Sequence, residues 1–175
     1  MASRSLMLVP ILKEVLLREI GEANLEPLKW EQASPYTYTF KVNIDDEDRK
    51  VNVSFQQIVD KAGRHYYFPP VYRHLTNVFN VAYDVEGTEV QFRKTTLKTL
   101  LTVLSTVVDI VKHFLNTVEC EGLYVMGTEK TAGTGDISKK YTLYKAFIVK
   151  QIKDVGGFGI DSHRDGFIVV KAPKK

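Results

Sequence analysis

The chain has 175 residues, 44% of them hydrophobic and 26% charged, with a net charge of +3. That length suits one domain able to bury about two thirds of its unfolded surface, and the composition is that of an ordinary globular protein and argues against global disorder. The single cysteine, Cys120, excludes an internal disulfide and a zinc site built on paired cysteines, and the small net charge does not mark a nucleic-acid binder.

In chain order, Leu8, Ile11, Leu12, Val15, Leu16 and Ile20 recur at helical spacing, with Pro10 at the first turn and Gly21 as the stop. Arg4, Lys13, Glu14, Arg18 and Glu19 interrupt this stretch, so it reads as an amphipathic helix rather than a signal peptide. Residues 25–35, with Pro27, Ser34 and Pro35, read as a connector. The period then changes. Tyr36-Thr37-Tyr38-Thr39-Phe40-Lys41-Val42-Asn43-Ile44 alternates apolar and polar, residues 45–48 form an acidic turn, and Val51-Asn52-Val53-Ser54-Phe55 alternates again. This predicts a β-hairpin with one buried and one wet face. The acidic turn lacks the glycine and distal glutamate of an EF-hand loop, which favours a solvated turn over a calcium site.

Residues 59–77 are expected to form a loop between strands. Its cluster Arg64-His65-Tyr66-Tyr67-Phe68-Pro69-Pro70-Val71-Tyr72-Arg73-His74 can be read as aromatic cover for the sheet edge. It can also be read as a partner surface, because tyrosine and arginine dominate contact hot spots. The candidate partner-binding residues are Arg64, Tyr66, Tyr67, Tyr72 and Arg73. Stacking on nucleobases is the less favoured use of the same residues.

Residues 78–85 alternate as a third strand. After Val90-Gln91-Phe92, Thr95 and Thr96 cap a helix over residues 96–116. Its apolar positions, Leu97, Leu100, Leu101, Leu104, Val107, Val108, Val111, Phe114 and Leu115, cover more than half its circumference and predict a central element packed on the sheet. A short strand, Gly122-Leu123-Tyr124-Val125-Met126, comes next, beside a Cys120 expected to be buried. Ile137, Tyr141, Tyr144, Ile148 and Ile152 predict a second helix, stopped by Gly156-Gly157. Phe158-Gly159-Ile160 and Phe167-Ile168-Val169-Val170 predict a closing hairpin.

The resulting expectation is a single α+β domain over residues 1–175, an antiparallel-dominated mixed sheet packed on two helices with an additional N-terminal helix. The parts are an N-terminal helix at 1–24, antiparallel strands over 36–92, and helix, strand, helix and hairpin over 93–172. His65, His74, His113 and His163 show no metal-ligand spacing, and His113 lies four residues from Asp109, which suits a surface pairing. There is no GxSxG elbow, and Gly133-Thr134-Gly135 lacks the GK[ST] ending of a nucleotide loop.

From Val78 onward the order of elements, with Tyr141-Thr142-Leu143-Tyr144-Lys145 and then Gly156-Gly157-Phe158, resembles the GCN5-related N-acetyltransferase family. The resemblance implies acyl-coenzyme A chemistry, with Tyr144, or next Tyr141, protonating the thiolate leaving group. It also implies a pyrophosphate turn at Arg93, Lys94, Thr95, Thr96 and Lys98. That family's turn carries glycines that let backbone N–H groups approach phosphate. This one has none, so no bound cofactor is expected.

The segments Thr99-x-x-x-Val103-Leu104-Ser105-Thr106-Val107-Val108, Gly122-Leu123-Tyr124-Val125-Met126-Gly127 and Lys139-Lys140-Tyr141-Thr142-Leu143-Tyr144 are similar to small proteins of tailed bacteriophages, some of them virion structural proteins. That resemblance implies a non-enzymatic assembly or interaction protein, in a virion or a host cytoplasm. Its partners would be other virion proteins or further copies of this chain, with no membrane. An acetyltransferase and a small binder of host protein or nucleic acid are the alternatives.

Overall fold

The structure is a computed structural model that describes residues 26–44, 46–86, 97–126, 150–151, 158–163 and 166–171. Its elements are β1 (Trp30–Ser34), β2 (Thr37–Ile44), β3 (Glu47–Gln57), α1 (Lys61–Tyr67), a 3-10 turn (Pro70–Tyr72), β4 (Val78–Val85), α2 (Leu97–Thr117), β5 (Gly122–Met126), β6 (Phe158–His163) and β7 (Gly166–Lys171). The seven strands form one mixed sheet in the order β1-β2-β3-β4-β5-β7-β6. Neighbours are antiparallel except β4 and β5, which run parallel and are joined in sequence through α2. A parallel pair requires such a crossover.

The α+β architecture of the expectation is therefore present. The N-terminal helix and the second helix bearing Tyr141 and Tyr144 fall outside the described residues. So do Arg93, Lys94, Thr95 and Thr96; Lys98 lies within α2.

Alternation sets the two faces of the sheet. Tyr38, Phe40 and Val42 of β2, Val51, Val53 and Phe55 of β3, Phe79, Val81 and Val85 of β4, Leu123 and Val125 of β5 and Val169 of β7 share one apolar cluster with α2. From Leu101 to Leu115 no residue of α2 is exposed, so the helix is embedded, as its broad apolar face predicts. The Phe114 ring stacks on Phe55 with centroids 3.8 Å apart and meets Phe79 edge-on at 5.2 Å. Thr106, fully buried, donates its hydroxyl to the Thr102 carbonyl and accepts the Leu28 N–H, which satisfies the polar group that the apolar helix buries.

Three local expectations are corrected. Residues 30–34, expected as connector, form β1, so the strand region starts at Trp30 rather than at residue 36. Only Trp30 of β1 is more than superficially covered; Glu31, Gln32, Ala33 and Ser34 are exposed, so this edge strand carries no apolar alternation to read. The acidic turn is shorter than expected. Ile44 pairs with Glu47, so Glu47 and Asp48 belong to β3, and Asp46 takes the positive φ of 62° that a two-residue hairpin loop requires. The 59–77 segment, expected as a loop, contains α1 and the 3-10 turn.

Candidate interaction surface

Residues 58–75 lie across the second face of the sheet. Ile58, Phe68 and Leu75 reach down onto Val78 of β4, Tyr124 of β5 and Ile168 of β7, and these six form a separate small core. Phe68 is the deepest of the three, 1% exposed. Gly122 lets it approach: a Cβ there would sit 3.2 Å from the Val169 carbonyl, 3.6 Å from the Phe68 ring and 3.7 Å from Leu75.

The local sequence explains the shape of this cover. Asp60 caps α1, its carboxylate accepting the Gly63 N–H at 3.0 Å. Phe68 ends the helix in extended conformation because Pro69 follows it. Pro70 opens the 3-10 turn. Both flanks are tied down. On one side Ile58 N–H donates to the Val78 carbonyl at 2.9 Å. On the other, the Glu121 carboxylate accepts the N–H groups of Thr76 and Asn77, each at 2.8 Å, while the Asn77 amide donates to the Glu119 carbonyl at 2.7 Å. These bonds, that of Asn77 first, hold the Glu121 carboxyl below its ordinary pKa.

The five residues named from sequence divide into two sets. Tyr67 and Tyr72 are half-buried and pack on the small core, Tyr67 with its ring 4.8 Å from that of Tyr124. The Arg64 guanidinium donates to the Val59 carbonyl at 2.6 Å and so serves the cover itself. Tyr66, 45% exposed, stands edge-on to Tyr67 at 5.0 Å, and Arg73 is exposed. The reading of these aromatics as sheet cover and the reading of them as partner surface thus apply to different residues of one segment.

Two surface residues were not singled out from sequence. Val59 is 74% and Val71 65% exposed. Among the described residues the large exposed hydrophobics are Val59, Tyr66, Val71 and Tyr36. The signal for Val59 was its place between a strand end and the Asp60 cap; for Val71 it was the preceding Pro69-Pro70 pair.

An open cleft of about 800 Å³ lies on the other side of the sheet, between the β1–β2 turn and the C-terminal end of α2. Ser34, Tyr36, Tyr38, His113 and Glu119 are among its walls. Asp109 accepts the Trp30 indole N–H at 2.7 Å, which ties β1 to α2, and the His113 ring leans on Trp30 at 4.9 Å and meets Tyr38 edge-on. The expected pairing of His113 with Asp109 is replaced by these ring contacts. The Tyr38 hydroxyl is buried without a hydrogen-bond partner, and burial raises its pKa. Cys120 is buried as expected, its thiol pKa raised chiefly by desolvation. No group of three His, Cys, Asp or Glu side chains able to hold a metal occurs among the described residues. Among them, too, no helix is long and apolar enough to cross a membrane.

Comparison of the chain with protein-family models, with curated proteins and with solved structures gives no match.

Proposed function

We propose that this chain is a non-enzymatic interaction or assembly protein, a structural component of a phage particle or of its assembly, whose contact surface is the outer side of residues 59–74. One observation carries the reading: Val59, Tyr66 and Val71, three of the four large exposed hydrophobics among the described residues, sit on this one segment. Single exposed apolar residues are ordinary on a protein surface, and what supports a contact surface here is that three of them fall on one short segment of chain. The segment is also held in place from beneath by Phe68 and Leu75 and at its end by Glu121, so little ordering entropy opposes docking.

The test is a triple variant, Val59→Ser, Tyr66→Ser and Val71→Ser, which removes outward apolar surface and leaves Phe68, Leu75 and Tyr67 untouched. The expected outcome is a wild-type circular dichroism spectrum with loss of incorporation into purified particles. A folded variant that is still incorporated at the wild-type level overturns the proposal.

A second reading has its own support. Among the described residues β4 pairs with β5 over Val78–Val81, and residues 82–85 of β4 follow that register. The carboxyl ends of adjacent parallel strands are a common ligand position in sheets of this kind. Together with the order of elements from Val78, this supports an acetyltransferase-like fold in which Arg93, Lys94, Thr95, Thr96 and Lys98 would meet pyrophosphate and Tyr144 or Tyr141 would act as acid. Under the leading proposal calorimetry detects no micromolar binding of acetyl-coenzyme A. An affinity of that order, about −8 kcal/mol, would promote the enzyme reading.

A further inference from the structure

We infer that His113 is a proton-responsive clamp on the edge strand β1. Its protonation in mild acid fastens Trp30, and with it one wall of the open cleft, more firmly to α2.

β1 is held by few contacts. Among the described residues it pairs with β2 alone. Glu31, Gln32, Ala33 and Ser34 are exposed, so Trp30 is the side chain of β1 that docks the strand. Three groups meet that indole. Its N–H donates to the Asp109 carboxylate at 2.7 Å. The His113 ring lies 4.9 Å away, centroid to centroid, tilted by 60°. The Tyr38 ring closes the group, 5.5 Å from Trp30 and 5.8 Å from His113. An imidazolium at these separations lies within the roughly 6 Å over which a cation is attracted to an aromatic ring, tryptophan most strongly. A neutral imidazole has no such attraction.

The charged groups around His113 do not oppose the proton. Asp109 precedes it by one helical turn, and Glu119 lines the same cleft. Lys112, the residue before it on α2, is the opposing cation. Lys29 and Glu31, exposed on either side of Trp30, are one of each sign. Tyr36 and Tyr38 are the remaining titratable groups, and burial moves the Tyr38 pKa further above the range in which histidine changes charge. His113 itself is half-buried in the wall of an open cleft, so the imidazolium keeps contact with water. That limits the desolvation that works against a buried cation. Histidine is the side chain whose charge ordinarily changes between about pH 5 and 8. A contact made by the charged form in the docked state adds stability that is present in mild acid and lost as pH rises.

Trp30 is the one tryptophan of the chain, so its fluorescence reports on the clamp directly. Between about pH 7.5 and 5.5 the emission of the full-length wild type should change. Over the same interval the amide protection factors of the β1–β2 pairing should rise about two- to fivefold, the gain expected of a solvent-exposed cation–π contact. Those of β3 and β4 should not follow. His113→Gln should lose both responses. Should that variant fail to fold, His113→Phe keeps a ring against Trp30 without a charge, and its β1 protection should likewise be flat with pH. Flat or falling β1 protection in wild type overturns the inference, whether or not the emission changes. The same rise in a folded His113 variant also overturns it. So does an equal rise across the whole sheet, which would mean that acid stabilises the fold and not this strand.

Discussion

The two faces of the sheet are covered by different means. On one, α2 inserts a continuous apolar surface into a cluster drawn from five strands. On the other, a short helix and a 3-10 turn place Phe68, Leu75 and Ile58 on a patch of three strand residues, and the segment turns its remaining hydrophobics outward. The first arrangement builds the larger core; the second builds a smaller one and leaves Val59, Tyr66 and Val71 exposed.

The comparison is broken most directly in the α2 cluster. Phe114 is fully buried, stacked on Phe55 and in edge contact with Phe79. Phe114→Ala is expected to lower global stability by about 3–5 kcal/mol, the range for a large aromatic lost from a core that cannot collapse around the gap. Denaturant unfolding followed by circular dichroism checks it. A loss below about 1 kcal/mol would mean that the helix is not the organising element.

Phe68→Ala is the matching truncation on the other face, and a smaller effect is expected, about 2–3 kcal/mol. Part of the loss should appear as local opening instead of global unfolding, because the cover is a short connecting segment. Amide exchange resolves the two: the Ile58, Thr76 and Asn77 amides should lose protection while those of β2 and β3 keep theirs. Equal loss across the sheet would make the two faces one cooperative unit.

Gly122→Ala tests the seam between cover and sheet. The new methyl would press on the Val169 carbonyl, which is backbone, and touch Phe68 and Leu75. A destabilisation of about 1–2 kcal/mol is expected, typical of overpacking where the neighbour cannot swing away. Shifts in the NMR resonances of Phe68 and Leu75 would locate the strain. An unchanged melt would show that the cover sits higher above β5 than the structure has it.

How much of this was legible in sequence follows the same division. The α2 cluster is periodic, and periodicity delivered β2, the body of β3, β4, α2, β5 and the closing hairpin, with the inward residues of β2, β3 and α2. The second face has no such signal. Asp60 as cap and Pro69-Pro70 as stop bracket α1, but Gly63 and the run His65-Tyr66-Tyr67-Phe68 obscure its helical spacing, and Pro70 and Arg73 read as loop. β1 lacks a sequence signal for another reason: it is held by β2 and, through Trp30, by Asp109, a contact across 79 positions of chain that no local pattern encodes. For the site, Tyr66 and Arg73 were chosen on residue type, and they face outward. Tyr67 and Tyr72 were chosen on the same grounds and face the small core, because residue type does not say which side of a short helix looks at the sheet.

The smallest expected effect concerns Glu121, which fastens the end of the cover. Its carboxyl pKa is lowered first by the Asn77 N–H and next by the Thr76 N–H, with His74 adding a favourable charge. A folded-state pKa below the unfolded one contributes stability that is fully present above the ordinary carboxylate value of about 4.3 and is lost as pH falls through the lowered value. The group is exposed, so solvent screening keeps the effect slight. In wild type, the amide shifts of Thr76 and Asn77 should titrate together, with a midpoint below the ordinary carboxylate range. Glu121→Gln keeps a carbonyl that can accept one of the two bonds but has no proton to take up. The variant should therefore be slightly less stable than wild type at neutral pH, and the gap should close as the medium is made acidic. A gap that persisted unchanged in acid would mean that the carboxylate charge plays no part in holding the cover, and that the hydrogen-bond geometry at residues 76 and 77 alone sets the position of the surface.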